Sequence, residues 1–158
     1  MPDQTPPPDY ARLTPDTLLG AVEALGYRTS GQLLALNSYE NRVYQIGLED
    51  AAPLIVKFYR PQRWSDEQIL EEHRFTMALA QLEIPVVAPL LFDDASLLQH
   101  GGYRYALYPR QGGRIPELDD PEQLTWLGRF IGRIHALGAA ASFETRPQVD
   151  IDSYVVQP

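Results

Sequence analysis

The chain has 158 residues and a mass of 17.8 kDa, enough for one domain with a real core but short for two. Its formal charge of -8 disfavours nucleic acid and anionic membrane as principal partners, and the absence of cysteine excludes a disulfide framework, a thiolate metal site or a thiol nucleophile. The 44% hydrophobic content is that of a globular chain, the start lacks the basic and apolar regions of a signal peptide, and no run approaches the roughly 18 apolar residues of a membrane span, so a cytoplasmic location is expected.

Met1 to Asp9 carries prolines at 2, 6, 7 and 8, and the stretch 1–13 is expected to be an extended or disordered tail. Thr14-Pro15-Asp16 then supplies an N-cap hydroxyl, a proline at the first helical position and an early acid. Leu18, Val22 and Leu25 recur at helical spacing, and Gly26 is the expected stop. From Gly31 the pattern turns strand-like, with Gln32 to Leu36, Val43 to Leu48 and a third run beginning at Leu54. The short connections predict an antiparallel meander. The first of them, Asn37-Ser38-Tyr39-Glu40-Asn41-Arg42, could offer amides and the Ser38 hydroxyl to a phosphate, but it has no glycine, and taken alone it fits an ordinary hairpin turn better.

The third strand carries one interior charge. Leu54, Val56 and Phe58 share one face, while Ile55, Lys57 and Tyr59 share the other. An ammonium leaving a strand among apolar neighbours must reach water or find an anion. The next segment offers one. Ser65-Asp66-Glu67-Gln68 is a capping box, and at 100° per residue Phe75, Leu79 and Leu82 fall within about 60° of one another, flanked by Ile69, Thr76 and Ala80. Glu72 lies inside that arc and Glu71 on its edge. A carboxylate in an apolar stripe calls for a cation, which makes Lys57 and Glu72 a candidate pair, with Glu71 as rival and a purely structural pair as the simpler alternative.

Downstream, Leu90-Leu91-Phe92 and Tyr103 to Tyr108 read as two further strands, joined through a turn at His100-Gly101-Gly102. Residues 111–119 read as a linker, and Asp120-Pro121-Glu122-Gln123 opens a last helix whose Leu124, Leu127, Ile131 and Ile134 form a stripe. Gly128 and Gly132 would let another element approach it closely. Of the three histidines, His135 is the one expected to make a structural hydrogen bond, and Arg60 and Arg63 read as solvated charge.

A helix, three strands with lysine on the third, a helix with an inward glutamate, two strands and a linker: this order resembles the N-terminal lobe of the kinase fold. It implies an α+β lobe over 14–110 with a five-stranded antiparallel sheet and a packed helix, a linker at 111–119, and one helix of a truncated C-terminal lobe in 120–158. The runs Leu36-Asn37-Ser38-Tyr39-Glu40-Asn41-Arg42-Val43-Tyr44, Val56-Lys57-Phe58-Tyr59-Arg60-Pro61 and Gln68-Ile69-Leu70-Glu71-Glu72-His73 resemble the stress-response protein serine/threonine kinases of the aminoglycoside and choline kinase-like phosphotransferases.

That resemblance implies that Lys57 holds the α- and β-phosphates of ATP and that Glu72 orients it. It further implies that Ser38 and the amides of Tyr39 and Asn41 cover the phosphates, that Leu107 backs the adenine, and that the Tyr108 carbonyl and Arg110 N–H bond its edge. ATP, magnesium and a protein acceptor are the implied cofactors and partner. A small-molecule kinase for an aminoglycoside, choline or homoserine-like alcohol is one alternative, and a non-catalytic nucleotide-binding or interaction module is another. One departure stands out: His73, His100 and His135 are followed by Arg-Phe, Gly-Gly and Ala-Leu, so no His-x-Asp of a catalytic loop occurs. The base and the magnesium ligands are therefore expected outside this chain, which would be the inactive N-terminal half of a kinase, with its last helix exposing an apolar face prone to self-association.

Overall fold

The computed structural model describes residues 10–149. The elements run α1 (Pro15–Glu23), β1 (Thr29–Leu36), β2 (Arg42–Leu48), β3 (Leu54–Phe58), α2 (Asp66–Gln81), β4 (Leu98–His100), β5 (Tyr103–Pro109) and α3 (Pro121–Ala140). The five strands form one antiparallel sheet in the order β1-β2-β3-β5-β4. This is the expected α+β lobe, and β3 and β5, which lie on either side of α2 in sequence, are neighbours in the sheet.

Strand alternation divides the sheet into two chemically different faces. On one, Ile46, Leu54, Val56, Phe58, Tyr103, Tyr105 and Leu107 are buried with Leu18, Ala21 and Val22 of α1. The Phe58 ring stacks on Tyr105 at 5.4 Å, and the Tyr105 hydroxyl donates to the Ala21 carbonyl at 2.8 Å. Each of the large apolar side chains among them contributes about 1.5–3 kcal/mol by leaving water. On the other face the register places Val43 and Ala106 beside Lys57, and Gln45 and Tyr108 beside Ile55. Helix α2 covers part of it, with Ile69 packed against Tyr59 and Ala106 and with Trp64, Leu97 and Tyr108 at the margin. The remainder, Leu36, Val43 and Ile55, stays half-exposed, and Leu34 near it is exposed.

Several expectations are corrected by the packing. Residues 10–13 do not belong to a loose tail: Tyr10 stacks on Tyr103 at 6.3 Å, its hydroxyl donates to the Glu40 carbonyl, and Leu13 lies against the core. Residues 1–9 and 150–158 lie outside the described part. Strand β1 begins at Thr29 rather than Gln32, because Gly31 takes φ 78° and absorbs a register irregularity that keeps Thr29 paired with Leu48. Leu90-Leu91-Phe92 is not a strand. Asp93 and Asp94 adopt left-handed φ of 48° and 64°, closing Phe92 against Ala95 in an isolated bridge, and the edge strand is Leu98–His100 instead. Leu82, placed by helical spacing on the apolar stripe, is 52% exposed. The buried positions of α2 are Ile69, Glu71, His73 and Leu79.

Candidate functional site

Strand β3 and helix α2 bring their charges together on the half-covered face. Lys57 Nζ lies 3.1 Å from Glu72 Oε1, and Arg146 Nη1 lies 2.7 Å from Glu72 Oε2. One carboxylate thus serves two cations. The Arg146 guanidinium also lies over the Trp64 ring at 4.7 Å, and the Lys57 ammonium over the Tyr59 ring at 4.8 Å. Burial pushes the Glu72 carboxyl up, but Lys57 and Arg146 outweigh it and hold Glu72 below the ordinary carboxylate range. Helical spacing and strand parity therefore meet in the pair anticipated for Lys57 and Glu72.

Glu71 is committed elsewhere. Its carboxylate accepts the backbone N–H groups of Glu144 at 2.5 Å, Thr145 at 3.1 Å and Arg146 at 2.9 Å, together with the Thr145 hydroxyl at 2.8 Å. The Glu144 N–H leads the set of donors that lowers its pKa to about 2. Three successive amides converging on one carboxylate form an anion nest filled by the chain's own side chain. On the same helix, His73 is 1% exposed, 2.6 Å from the Tyr59 hydroxyl and 2.9 Å from the Ser96 hydroxyl. Burial pushes this imidazole down to about 4. Sequence reading missed it and favoured His135, which is exposed. The signal for His73 was its position four residues after Ile69 on one helix face, a pattern that reads equally well as chance.

The loop between β1 and β2 is tied down at its base and open at its tip. Ser38 Oγ donates to the Asn41 carbonyl at 2.6 Å, Asn41 Oδ1 accepts the Arg60 N–H at 3.2 Å, and Glu40 accepts from Trp64 Nε1 at 2.6 Å and Arg63 Nε at 3.2 Å. Tyr39 at the tip is fully exposed. Glu40, which pins the loop to residues 63 and 64, was not singled out from sequence. Along β5, Tyr108 shares the Lys57 face and its hydroxyl lies 3.3 Å from that of Tyr59. Leu107 does not share that face: its side chain is 0% exposed in the α1-side core, because it stands opposite Val56. Leu107 therefore does not line the Lys57 face, on which Val43 and Ile55 lie. Arg110 is exposed, and its Nε donates to Gln45 Oε1 at 2.9 Å.

A family model described as the phosphotransferase enzyme family matches residues 32–157. The chain belongs to the phosphotransferase enzyme family. It is 45% identical over 149 residues to stress response kinase A of Salmonella choleraesuis (strain SC-B67) and 44% identical to that of Escherichia coli (strain K12). It is also 44% identical to the serine/threonine protein kinase RdoA of Salmonella typhimurium. Each match takes in 94% of this chain and 45% of the relative, so the chain spans about half the length of the curated relatives it matches. Among solved structures, an amicoumacin kinase in complex with AMP-PNP, Ca2+ and Ami shares the fold at a TM-score of 0.70 and 22% identity over 90% of this chain and 46% of that one. A microcompartment-associated aminopropanol kinase does so at 0.62 and 18%, over 87% and 46%.

Among the described residues of this phosphotransferase chain, no group of three or more His, Asp or Glu side chains could hold a metal ion. Nor is any helix among them long and apolar enough to cross a membrane.

Proposed function

We propose that this chain is the nucleotide-holding lobe of a cytoplasmic, ATP-dependent protein serine/threonine kinase acting in stress response. The observation that carries the reading is the Lys57–Glu72 ion pair at 3.1 Å, set on a half-covered apolar sheet face beside a loop with an open tip. ATP, when bound, supplies the γ-phosphoryl group. Lys57 binds the α- and β-phosphates, and Glu72 holds the ammonium in place between the sheet and α2. Leu36, Val43 and Ile55 offer an apolar surface to the base, with the Tyr108 carbonyl and the Arg110 N–H at its edge. Ser38 and the amides of Tyr39 and Asn41 close over the phosphates, which requires the Ser38 hydroxyl to leave the Asn41 carbonyl. The choice of a protein acceptor is supported by the name of the serine/threonine protein kinase RdoA, 44% identical to this chain, and the link to stress by that of stress response kinase A. These 158 residues contain no His-x-Asp sequence, and the role proposed for them is to hold the nucleotide rather than to supply the catalytic base.

Calorimetric titration of the chain and of Lys57→Ala with AMP-PNP tests the reading. Removing the charge-assisted contact, worth about 1.5–3 kcal/mol, should weaken binding by roughly 10-fold or more. Equal affinity for both chains, or no binding by either, would contradict it.

A further inference from the structure

Lys57 alone is a poor anchor for Glu72. The Glu72 side chain is 37% exposed, a half-exposed ion pair is worth about 0–1 kcal/mol, and ordering a glutamate side chain costs up to about 1.5–2 kcal/mol. On those magnitudes a second constraint is needed to keep the carboxylate on Lys57, and the segment after α3 supplies one. We propose that residues 143–146 form a strap across α2 and that Arg146 is a positioning residue, gripping the second oxygen of Glu72 so that the first stays on Lys57.

The attachments lie on one helix face. Gln68, Glu71, Glu72 and Phe75 follow the i, i+3, i+4, i+7 spacing that aligns side chains along a helix. Gln68 Nε2 donates to the Thr145 carbonyl at 2.8 Å, Glu71 takes the three amides, Glu72 takes the Arg146 guanidinium at 2.7 Å, and Phe75 meets Phe143 edge-on at 5.1 Å. Arg146 is fixed from three further sides, by its own N–H on Glu71, by the Gln68 carbonyl at 3.3 Å and by the Trp64 ring. Behind the strap, a cavity of about 370 Å³ lined by Arg74, Phe75, Ala78, Leu137 and Phe143 separates it from the end of α3. The strap is thus held by these named contacts rather than by a continuous core, and its docking is coupled to the orientation of Glu72.

This inference rests on the reading of Lys57 as the phosphate-holding group, but its first test is independent of nucleotide. A double-mutant cycle of Lys57→Met and Glu72→Gln, read by urea unfolding, is measured in the unchanged chain and again with Arg146→Met, which keeps an apolar stem over Trp64. The coupling should be present in the first and lost in the second. Coupling that persists or grows without Arg146, or that is absent from both, would overturn the proposal. Lys57 is the chain's one lysine, so 15N-lysine labelling gives a single side-chain signal. Glu71→Gln and Arg146→Met should shift that signal in the direction that Glu72→Gln does, and an unmoved signal in both would also overturn it. With AMP-PNP, Arg146→Met should weaken binding roughly fivefold. Loss of affinity in Lys57→Ala with full affinity in Arg146→Met would sink the strap's role at the site, whereas unchanged affinity in Lys57→Ala would sink the functional reading and leave the cycle to decide the strap.

Discussion

His73 gives the lobe a pH dependence that can be read from one residue. Its imidazole sits between the Tyr59 and Ser96 hydroxyls, and burial lowers its pKa from 6.5 to about 4. The unfolded chain therefore binds a proton between those values that the folded chain refuses. Stability from this group is fully present above pH 6.5 and is lost as the pH falls towards 4. Glu71, lowered from 4.5 to about 2, adds a further loss in the more acid window between those values. The urea midpoint of the unchanged chain should fall between pH 6.5 and 4 more steeply than that of His73→Gln. Identical slopes would contradict the assignment.

Elements are held by local chemistry at their ends and by distant partners along their faces, and the two were not equally readable. The N-terminal ends of α1 and α2 follow from text alone: Thr14 and Ser65 accept the first-turn amides of Thr17 and Gln68, and the Gln68 side chain accepts the Ser65 N–H in return. The β4–β5 hairpin is equally local. Gly101 and Gly102 take φ of 58° and 84°, as a two-residue turn of the mirror-image type requires. A Cβ on Gly101 would also meet Thr17 Cγ2 at 2.9 Å. Gly101→Ala should thus cost about 1–2 kcal/mol and lower Tm, whereas Gly112→Ala, with nothing within 4 Å, should be close to neutral in the same melt.

The faces were less legible. The buried side of α2 includes Glu71 and His73, whose partners at 144–146 and at Tyr59 and Ser96 lie far off in sequence, so an apolar wheel drawn through Phe75, Leu79 and Leu82 could not find them. Parity on β5 posed the same problem. Only its register against β3 shows that Leu107 joins Val56 in the core while Ala106 and Tyr108 join Lys57. The Lys57–Glu72 pair was readable because both residues are charges out of place, one in a strand and one in an apolar arc, each needing the other.

At the scale of the molecule, charge and covering are distributed unevenly. The α1 side of the sheet is sealed, the Lys57 side is half-covered, and α3 has no buried residue among those described. A Cβ on Gly128 or Gly132 would meet nothing within 4 Å, so the close approach these glycines permit is not used by the described residues. Leu124, Trp126, Leu127 and Ile131 of α3 are each exposed. An apolar dye should therefore bind the chain, and Trp126→Ser with Leu127→Ser should lower its fluorescence; sedimentation of the unchanged chain should show concentration-dependent association. A monomer without dye binding would contradict this.

On the function proposed for this lobe, the Lys57 ammonium faces the phosphates of a nucleotide. Because Lys57 is the one lysine of the chain, an acyl phosphate of ATP has a single side-chain amine to acylate. Peptide mass spectrometry after brief labelling should find the modification on Lys57, and excess AMP-PNP should suppress it. Label confined to the N-terminal amine, or label on Lys57 that AMP-PNP leaves untouched, would contradict the account.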